Sequence, residues 1–105
     1  MELNVENEQG ICRIRINGEM TIYSAAQAKQ SLLGAMADCH EIEMNLAHVS
    51  EIDASGLQLL ALVKREAAEK NIPLHFVAHS QAVTDMLDLC NLAGVFGDPV
   101  VLSPA

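Results

Sequence analysis

Apolar and polar residues alternate in two short segments at the start of the chain, and this alternation predicts a β-hairpin. Residues 3–7 and 11–16 change between apolar and polar side chains at almost every step, as half-buried strands do. The intervening residues 8–10 (Glu-Gln-Gly) have the composition of a turn. The pair Asn17-Gly18 is typical of a break, so we expect the second strand to end there.

The helical spacing of apolar residues predicts three helices later in the chain. The first opens at Ser24, with Gln27 three residues on as in a capping box. The second begins near Ser55 and ends at residues 71–73 (Asn-Ile-Pro), and Ser80 caps the third. The apolar stripe of the first helix consists of Ala25, Ala28, Leu32, Ala35, Met36 and Cys39, and that of the third consists of Val83, Met86, Leu87 and Cys90.

Further strands are predicted between and after these helices. Residues 41–46 alternate strictly, with Ile42, Met44 and Leu46 facing inward, and a loop is expected over residues 47–53. Residues 74–78 form a short strand, and residues 99–102 a last edge strand. Strands that alternate with helices indicate parallel pairing through right-handed crossovers. We therefore predict an α/β fold: a mixed β-sheet with an N-terminal antiparallel hairpin and helices packed on the sheet.

The composition predicts one small domain over residues 1–105. Half of the 105 residues are apolar, which suffices for a single core. The formal net charge of −8 excludes the basic surface with which proteins neutralise nucleic-acid phosphates, and it disfavours anionic membranes. The charge favours a protein partner with a basic surface.

The cysteines are odd in number, widely spaced and set among apolar residues. Cys12, Cys39 and Cys90 fit neither a disulfide framework nor a CxxC metal site, so we interpret them as buried free thiols in a reducing compartment. The first residues lack the basic and apolar regions of a signal peptide, and no apolar run is long enough to span a bilayer. These observations predict a cytoplasmic protein.

No set of residues completes a catalytic or metal site, so we expect no enzyme, no metal and no cofactor. The glycines are isolated, which excludes a glycine-rich phosphate loop. The histidines lack the spacing of zinc ligands and are interpreted as loop and surface residues; they are His40, His48, His75 and His79.

Residues 52–57 (Ile-Asp-Ala-Ser-Gly-Leu) carry the strongest functional signal. A strand end, a short loop and a helix start follow one another there, and a helix N-terminus offers free N–H donors and a partial positive charge. A phosphate on Ser55 would be stabilised by both, although Asp53 lies two residues away. Ser55 and Gln58 also have the spacing of a capping box, so a purely structural role stays open.

Two motifs and their place in the element order resemble the STAS domain, the family named for sulfate transporters and anti-sigma factor antagonists. The motifs are residues 18–21 (Gly-Glu-Met-Thr) after the hairpin and residues 53–57 (Asp-Ala-Ser-Gly-Leu) at the second helix. The resemblance covers nearly the whole chain, including the helix, Pro73, strand and helix that follow. It implies a mixed sheet backed by helices.

In the anti-sigma antagonist branch, the resemblance implies that a partner kinase phosphorylates Ser55. The unphosphorylated form binds a serine kinase or anti-sigma-type protein, and the phosphorylated form is released. Met20 is expected in a loop with its side chain exposed. The expected partner-binding residues are Met20, Thr21, Tyr23, Asp53, Ala54, Gly56, Leu57 and Gln58.

The same resemblance also allows a second function. The stretch from Thr21 to Ala25 is similar to a bacterial sub-branch that includes the small STAS subunit of lipid-transport ABC complexes. In that case the chain is a constitutive subunit bound to an ABC transporter ATPase, and Ser55 is an interface cap without phosphate turnover.

Overall fold

In the computed structural model, which describes residues 1–89, the chain opens with the predicted hairpin. Strands β1 (Glu2–Glu8) and β2 (Ile11–Met20) pair antiparallel, with Val5 opposite Ile14. Gln9 and Gly10 between them both have positive φ, 54° and 86°, as the tight turn of a two-residue hairpin requires. The hairpin prediction is confirmed.

Two more strands extend this hairpin into a mixed sheet. β3 (Glu41–Ile52) pairs parallel with β2, and β4 (Leu74–Val77) pairs parallel with β3, in the order β1-β2-β3-β4. The predicted fold class is therefore confirmed. The strand predicted over residues 99–102 lies outside the described residues.

Three helices follow strands β2, β3 and β4. They are α1 (Ala25–Met36), α2 (Ala54–Glu69) and α3 (Gln81–Leu89). The Ser80 hydroxyl accepts a hydrogen bond from the Val83 N–H at 3.2 Å, so the predicted cap of α3 is confirmed. α2 ends at Glu69 with Lys70 as its C-cap, and the next residue, Asn71, has a φ of 57° that allows the Ile72 N–H to reach the Ala67 carbonyl at 2.8 Å.

The core lies between the helices and one face of the sheet. Its largest fully buried side chains are Phe76, Ile14, Ile16, Met20, Leu32, Met36, Ile42, Met44, Leu46, Leu60, Leu87 and Val49. The opposite sheet face carries polar side chains that are exposed or half-buried. His79 is buried, so the interpretation of all four histidines as loop and surface residues is wrong for this one. No helix within residues 1–89 is long and apolar enough to cross a membrane.

Strands β2 and β3 are longer than predicted, because irregular pairing interrupts the alternation without ending the strands. β2 continues through Asn17 and Gly18 to Met20, and the region predicted as a loop, residues 47–53, is strand as far as Ile52. Two register shifts each add one extra residue to β3, so its buried positions move from every second to every third residue after Leu46. A strict period of two therefore misplaces both strand ends.

Two of the cysteines are joined, so the prediction of free thiols is wrong for Cys12 and Cys39. They form a disulfide between the start of β2 and the residue pair that precedes β3, with Cα atoms 5.8 Å apart. Parallel pairing of β2 and β3 sets Cys12 opposite Ile42. Cys39, just before β3, is thereby brought next to Cys12, although the two cysteines are 27 residues apart in sequence. The inference of a reducing compartment from free thiols loses its basis. Cys90 lies outside the described residues.

Candidate functional site

The candidate site forms where β2 and β3 end side by side. Met20 and Ile52 are register partners at the last position of each strand, and the Asp53 N–H donates to the Met20 carbonyl at 3.2 Å. The loop of residues 21–24 leaves β2 toward α1, and Asp53 leads directly into α2. The carboxyl ends of parallel strands are the usual place for binding residues in such sheets.

Asp53 ties these two connections together and caps α2. One carboxylate oxygen accepts from the Gly56 N–H at 3.1 Å, and the other accepts from the Ile22 N–H at 2.9 Å. Asp53 has extended backbone geometry, whereas Ser55 already lies inside the helix. The predicted Ser55 cap is therefore wrong, since Asp53, two residues earlier, is the N-cap and its carboxylate takes the capping role.

These hydrogen bonds hold the pKa of the Asp53 carboxyl below its ordinary value of 3.8. The Ile22 N–H has the largest effect, desolvation acts against it, and the Gly56 and Ser55 N–H groups add to it. All three N–H groups stabilise the ionised carboxylate. Asp53 therefore carries a negative charge at neutral pH beside Ser55.

The lowered pKa of Asp53 has a consequence for stability in acid. The unfolded chain takes up a proton near pH 3.8 while the folded chain does not, so the contribution of Asp53 is complete above that pH and is lost as the pH falls further. Asp53→Asn removes the titration. We expect urea denaturation to give a stability difference between wild type and Asp53→Asn that is constant above about pH 5 and shrinks below about pH 4. A difference that does not change with pH would contradict this assignment.

Ser24 holds the loop of residues 21–24 in a fixed shape. Its hydroxyl donates to the Glu19 carbonyl at 2.8 Å and accepts from the Thr21 N–H at 3.0 Å. Ser24 precedes α1 as predicted, but its side chain does not cap the helix, so the capping box with Gln27 is absent. The hydroxyl closes the loop instead.

This fixed loop presents two apolar side chains to solvent. Tyr23 is 94% exposed and Ile22 is 67% exposed. Tyr23 was among the expected partner-binding residues, whereas Ile22 was missed. In the sequence, Ile22 is an apolar residue outside any periodic pattern. Such a residue can lie in the core or on the surface, so the sequence did not show that Ile22 is exposed.

Met20, Gly56 and Leu57 lie beneath the site rather than on its surface. Met20 is fully buried as the last residue of β2, so the expectation of an exposed loop residue is wrong. Leu57 is also buried, and a Cβ on Gly56 would collide with the Met20 carbonyl oxygen and lie 2.7 Å from Ile52 Cγ1. These residues set how closely α2 approaches the strand ends.

Gly56→Ala is expected to destabilise the protein by about 1–3 kcal/mol, because the added methyl group forces α2 away from β2. Gly34 on α1 provides the matched control, since nothing lies within 4 Å of a Cβ at that position. Gly34→Ala should stabilise by roughly 0.5–1 kcal/mol, the usual gain in a helix. Thermal unfolding of both variants measures the effects, and equal shifts would refute the close approach at Gly56.

Ser55 lies half-buried in the first turn of α2, at a shallow groove of about 230 Å³ between α1 and α2. Lys29 of α1 lines the same groove. Ala54 and Gln58 on either side of Ser55 are exposed, and Thr21 and Asp53 are half-buried. The structure thus places Ser55 on a groove shared with Lys29, while Asp53 ties the start of α2 to the loop of residues 21–24.

The groups present at this site limit the chemistry open to it. Residues 1–89 contain no cluster of three or more side chains able to hold a metal ion. The site offers a hydroxyl, an ionised carboxylate and exposed apolar side chains on a backbone fixed by hydrogen bonds. Such an arrangement suits a protein partner and a covalent modification of the hydroxyl.

Comparisons with known proteins identify the family of this chain. The family model of the STAS domain matches residues 2–104. An anti-sigma-B factor antagonist of Staphylococcus epidermidis is 23% identical over 95 residues, which cover 88% of each chain. An anti-sigma factor antagonist from Mycobacterium paratuberculosis superposes with a TM-score of 0.74 at 21% identity, over 93% of this chain and 84% of the other. The Bacillus cell fate determinant SpoIIAA in its phosphorylated form gives 0.69 at 18% identity, over 95% and 91%.

Proposed function

The chain belongs to the STAS domain family, and from this membership we propose that it is an anti-sigma factor antagonist-like regulatory protein. It binds a serine kinase or anti-sigma-type protein when Ser55 is unmodified and is released when Ser55 is phosphorylated. The observation that carries this proposal is the position of Ser55, half-buried beside the ionised Asp53 and the exposed loop of residues 21–24.

Phosphorylation of Ser55 is compatible with the fold and unfavourable for a bound partner. The α2 N-terminus and Lys29 in the adjoining groove favour an added phosphate. The phosphate adds about −1.5 to −2 charge next to Asp53, on a surface that a partner has to cover and desolvate. A solved phosphorylated form of SpoIIAA, which shares the fold, supports this mode of regulation.

The loop of residues 21–24 is suited to act as the anchor of the complex. Tyr23 and Ile22 offer apolar area at a place where the backbone is already fixed, because the Thr21 and Ile22 N–H groups donate to the side chains of Ser24 and Asp53. Binding therefore loses little conformational entropy at the loop, and aromatic anchors of this kind carry much of the energy of protein interfaces.

A pair of carboxylates beside the loop indicates the charge of the partner. Glu19 and Glu51 are register partners on β2 and β3, and both are exposed. Neither forms an ion pair within residues 1–89. Like charges placed directly opposite destabilise a sheet, so a partner with Arg or Lys at this place gains from their neutralisation.

Glu51→Gln is expected to stabilise the free protein by about 0.2–1 kcal/mol and to weaken the complex, because it removes one of the opposed charges. Chemical denaturation measures the first effect and titration of the partner at two salt concentrations measures the second. Glu69→Gln at the exposed end of α2 removes the same charge outside the proposed contact surface, so it is the control for affinity and should leave the affinity unchanged. Destabilisation by Glu51→Gln would contradict the repulsion between Glu19 and Glu51.

The proposal is tested by using the wild-type chain, Ser55→Ala and Ser55→Asp as baits in the cells of origin. A serine kinase or anti-sigma-type protein on the first two baits, with little or none on Ser55→Asp, would support the switch. An ABC transporter ATPase and permease recovered equally on all three baits would make the chain a constitutive transporter subunit instead. Equal recovery of a kinase on all three baits would refute control by Ser55.

A further inference from the structure

The sheet face opposite the three described helices, which no element within residues 1–89 covers, carries two neighbouring cross-strand rows of polar residues that differ in charge. Arg13 on β2 lies opposite Glu6 on β1 and Glu43 on β3. Arg15, on the same strand and the same face, lies opposite Asn4 and Asn45. The first row places an arginine between two carboxylates, and the second places an arginine between two amides.

Arg13 is used within the sheet. Its Nη1 contacts the Glu8 carboxylate at 2.6 Å, and its Nε contacts the Glu43 carboxylate at 3.3 Å. These partners raise the pKa of the Arg13 guanidinium, the Glu8 hydrogen bond most of all. Arg13 therefore balances the carboxylates around it and has no charge to spare for a ligand.

Arg15 is in the opposite situation. It is exposed and forms no ion pair within residues 1–89. The side-chain oxygen of Asn45 accepts from the Ala47 N–H at 2.8 Å, which leaves the amide nitrogen of Asn45 as the group available for donation. Arg15 and Asn45 both present N–H donors, and Asn4 adds an amide on the other side.

We propose that the Asn4–Arg15–Asn45 row binds the carboxylate of a small monocarboxylic acid. A guanidinium holds a planar carboxylate with two parallel hydrogen bonds, and the flanking amides donate to the same oxygens. Asn4, Arg15 and Asn45 line a depression of about 160 Å³, which has room for a carboxylate on a short carbon chain. Glu6 and Glu43 also line this depression, and the formal net charge of the whole chain is −8. Both disfavour a ligand that carries a second negative charge.

The proposal is tested by NMR titration of the ¹⁵N-labelled full chain with sodium propionate, against sodium chloride at equal ionic strength. We expect saturable shifts in the millimolar range, centred on the side-chain N–H groups of Asn4, Arg15 and Asn45. Arg15→Gln should weaken the affinity at least tenfold, while Arg65→Gln on the exposed side of α2 leaves it within twofold. Sulfate, a dianion, should bind more weakly than propionate.

Two results would overturn the proposal. One is propionate shifts that stay linear with concentration, or saturable shifts that persist in Arg15→Gln. The other is saturation by acetyl-glutamate amide without saturation by propionate, which assigns the carboxylate to an acidic side chain of a protein partner. Because the row lies on the sheet face opposite the helices and not in the loop of residues 21–24 or in α2, neither result depends on phosphorylation of Ser55.

Discussion

Replacing Ser55 by aspartate is expected to weaken binding of the protein partner by roughly tenfold to a hundredfold, whereas Ser55→Ala keeps full affinity. The aspartate places a second carboxylate within the first turn of α2, close to the ionised Asp53 and the apolar loop of residues 21–24. A phosphate carries more charge than a carboxylate and should weaken binding further. Calorimetric titration of the purified partner into each variant measures the change.

Ser31→Asp is the matched control for this prediction. Ser31 is exposed on α1, outside the proposed contact surface. Its replacement by aspartate adds the same charge to the chain as Ser55→Asp. It should leave the affinity within about twofold, because a solvent-exposed charge that the partner does not cover is screened by water and salt. Equal losses for Ser55→Asp and Ser31→Asp would show that net charge, rather than the position of Ser55, controls binding.

Removal of the disulfide is expected to lower the free energy of unfolding by about 3–4 kcal/mol. Cys12 and Cys39 are 27 residues apart in sequence, and their bond limits the conformations that the unfolded chain can adopt. Either Cys12→Ala or reduction of the wild-type protein should produce most of the loss. Urea denaturation with and without dithiothreitol gives the two values.

The double variant Cys12→Ala/Cys39→Ala is the control for effects of the reductant. Its stability should be the same with and without dithiothreitol and close to that of the reduced wild type. If dithiothreitol leaves the wild type unchanged, the two cysteines do not contribute a stabilising bond in solution. This outcome would also restore the interpretation of Cys12 and Cys39 as free buried thiols.

The fold was predictable from the sequence where periodicity is regular. The hairpin, the helix starts near Ser24 and Ser55, and the cap at Ser80 all follow from local patterns, and the structure has them. The ends of β2 and β3 were not predictable, because register shifts move the buried positions by an extra residue and a local pattern does not show them. The disulfide depends on parallel pairing of β2 and β3, which is equally non-local.

The position of the candidate site was predictable from the sequence, whereas the roles and burial of its individual residues were less so. The motif of residues 53–57 located the junction of β3 and α2, where Ser55 and the loop of residues 21–24 lie. The identity of the residue that caps α2 was harder to predict. The Ile22 N–H, in the loop that precedes α1, donates to the Asp53 carboxylate and holds it in the capping position. The burial of Met20 depends on β2 running two residues beyond Gly18.

Mass spectrometry of the native chain, recovered from its own cells as partner-bound and free fractions, tests the central claim most directly. We predict phosphate on Ser55 in the free fraction and none on Ser55 in the fraction bound to a serine kinase or anti-sigma-type protein. Phosphate in equal proportion in both fractions, or a bound ABC ATPase with Ser55 unmodified throughout, would contradict the switch.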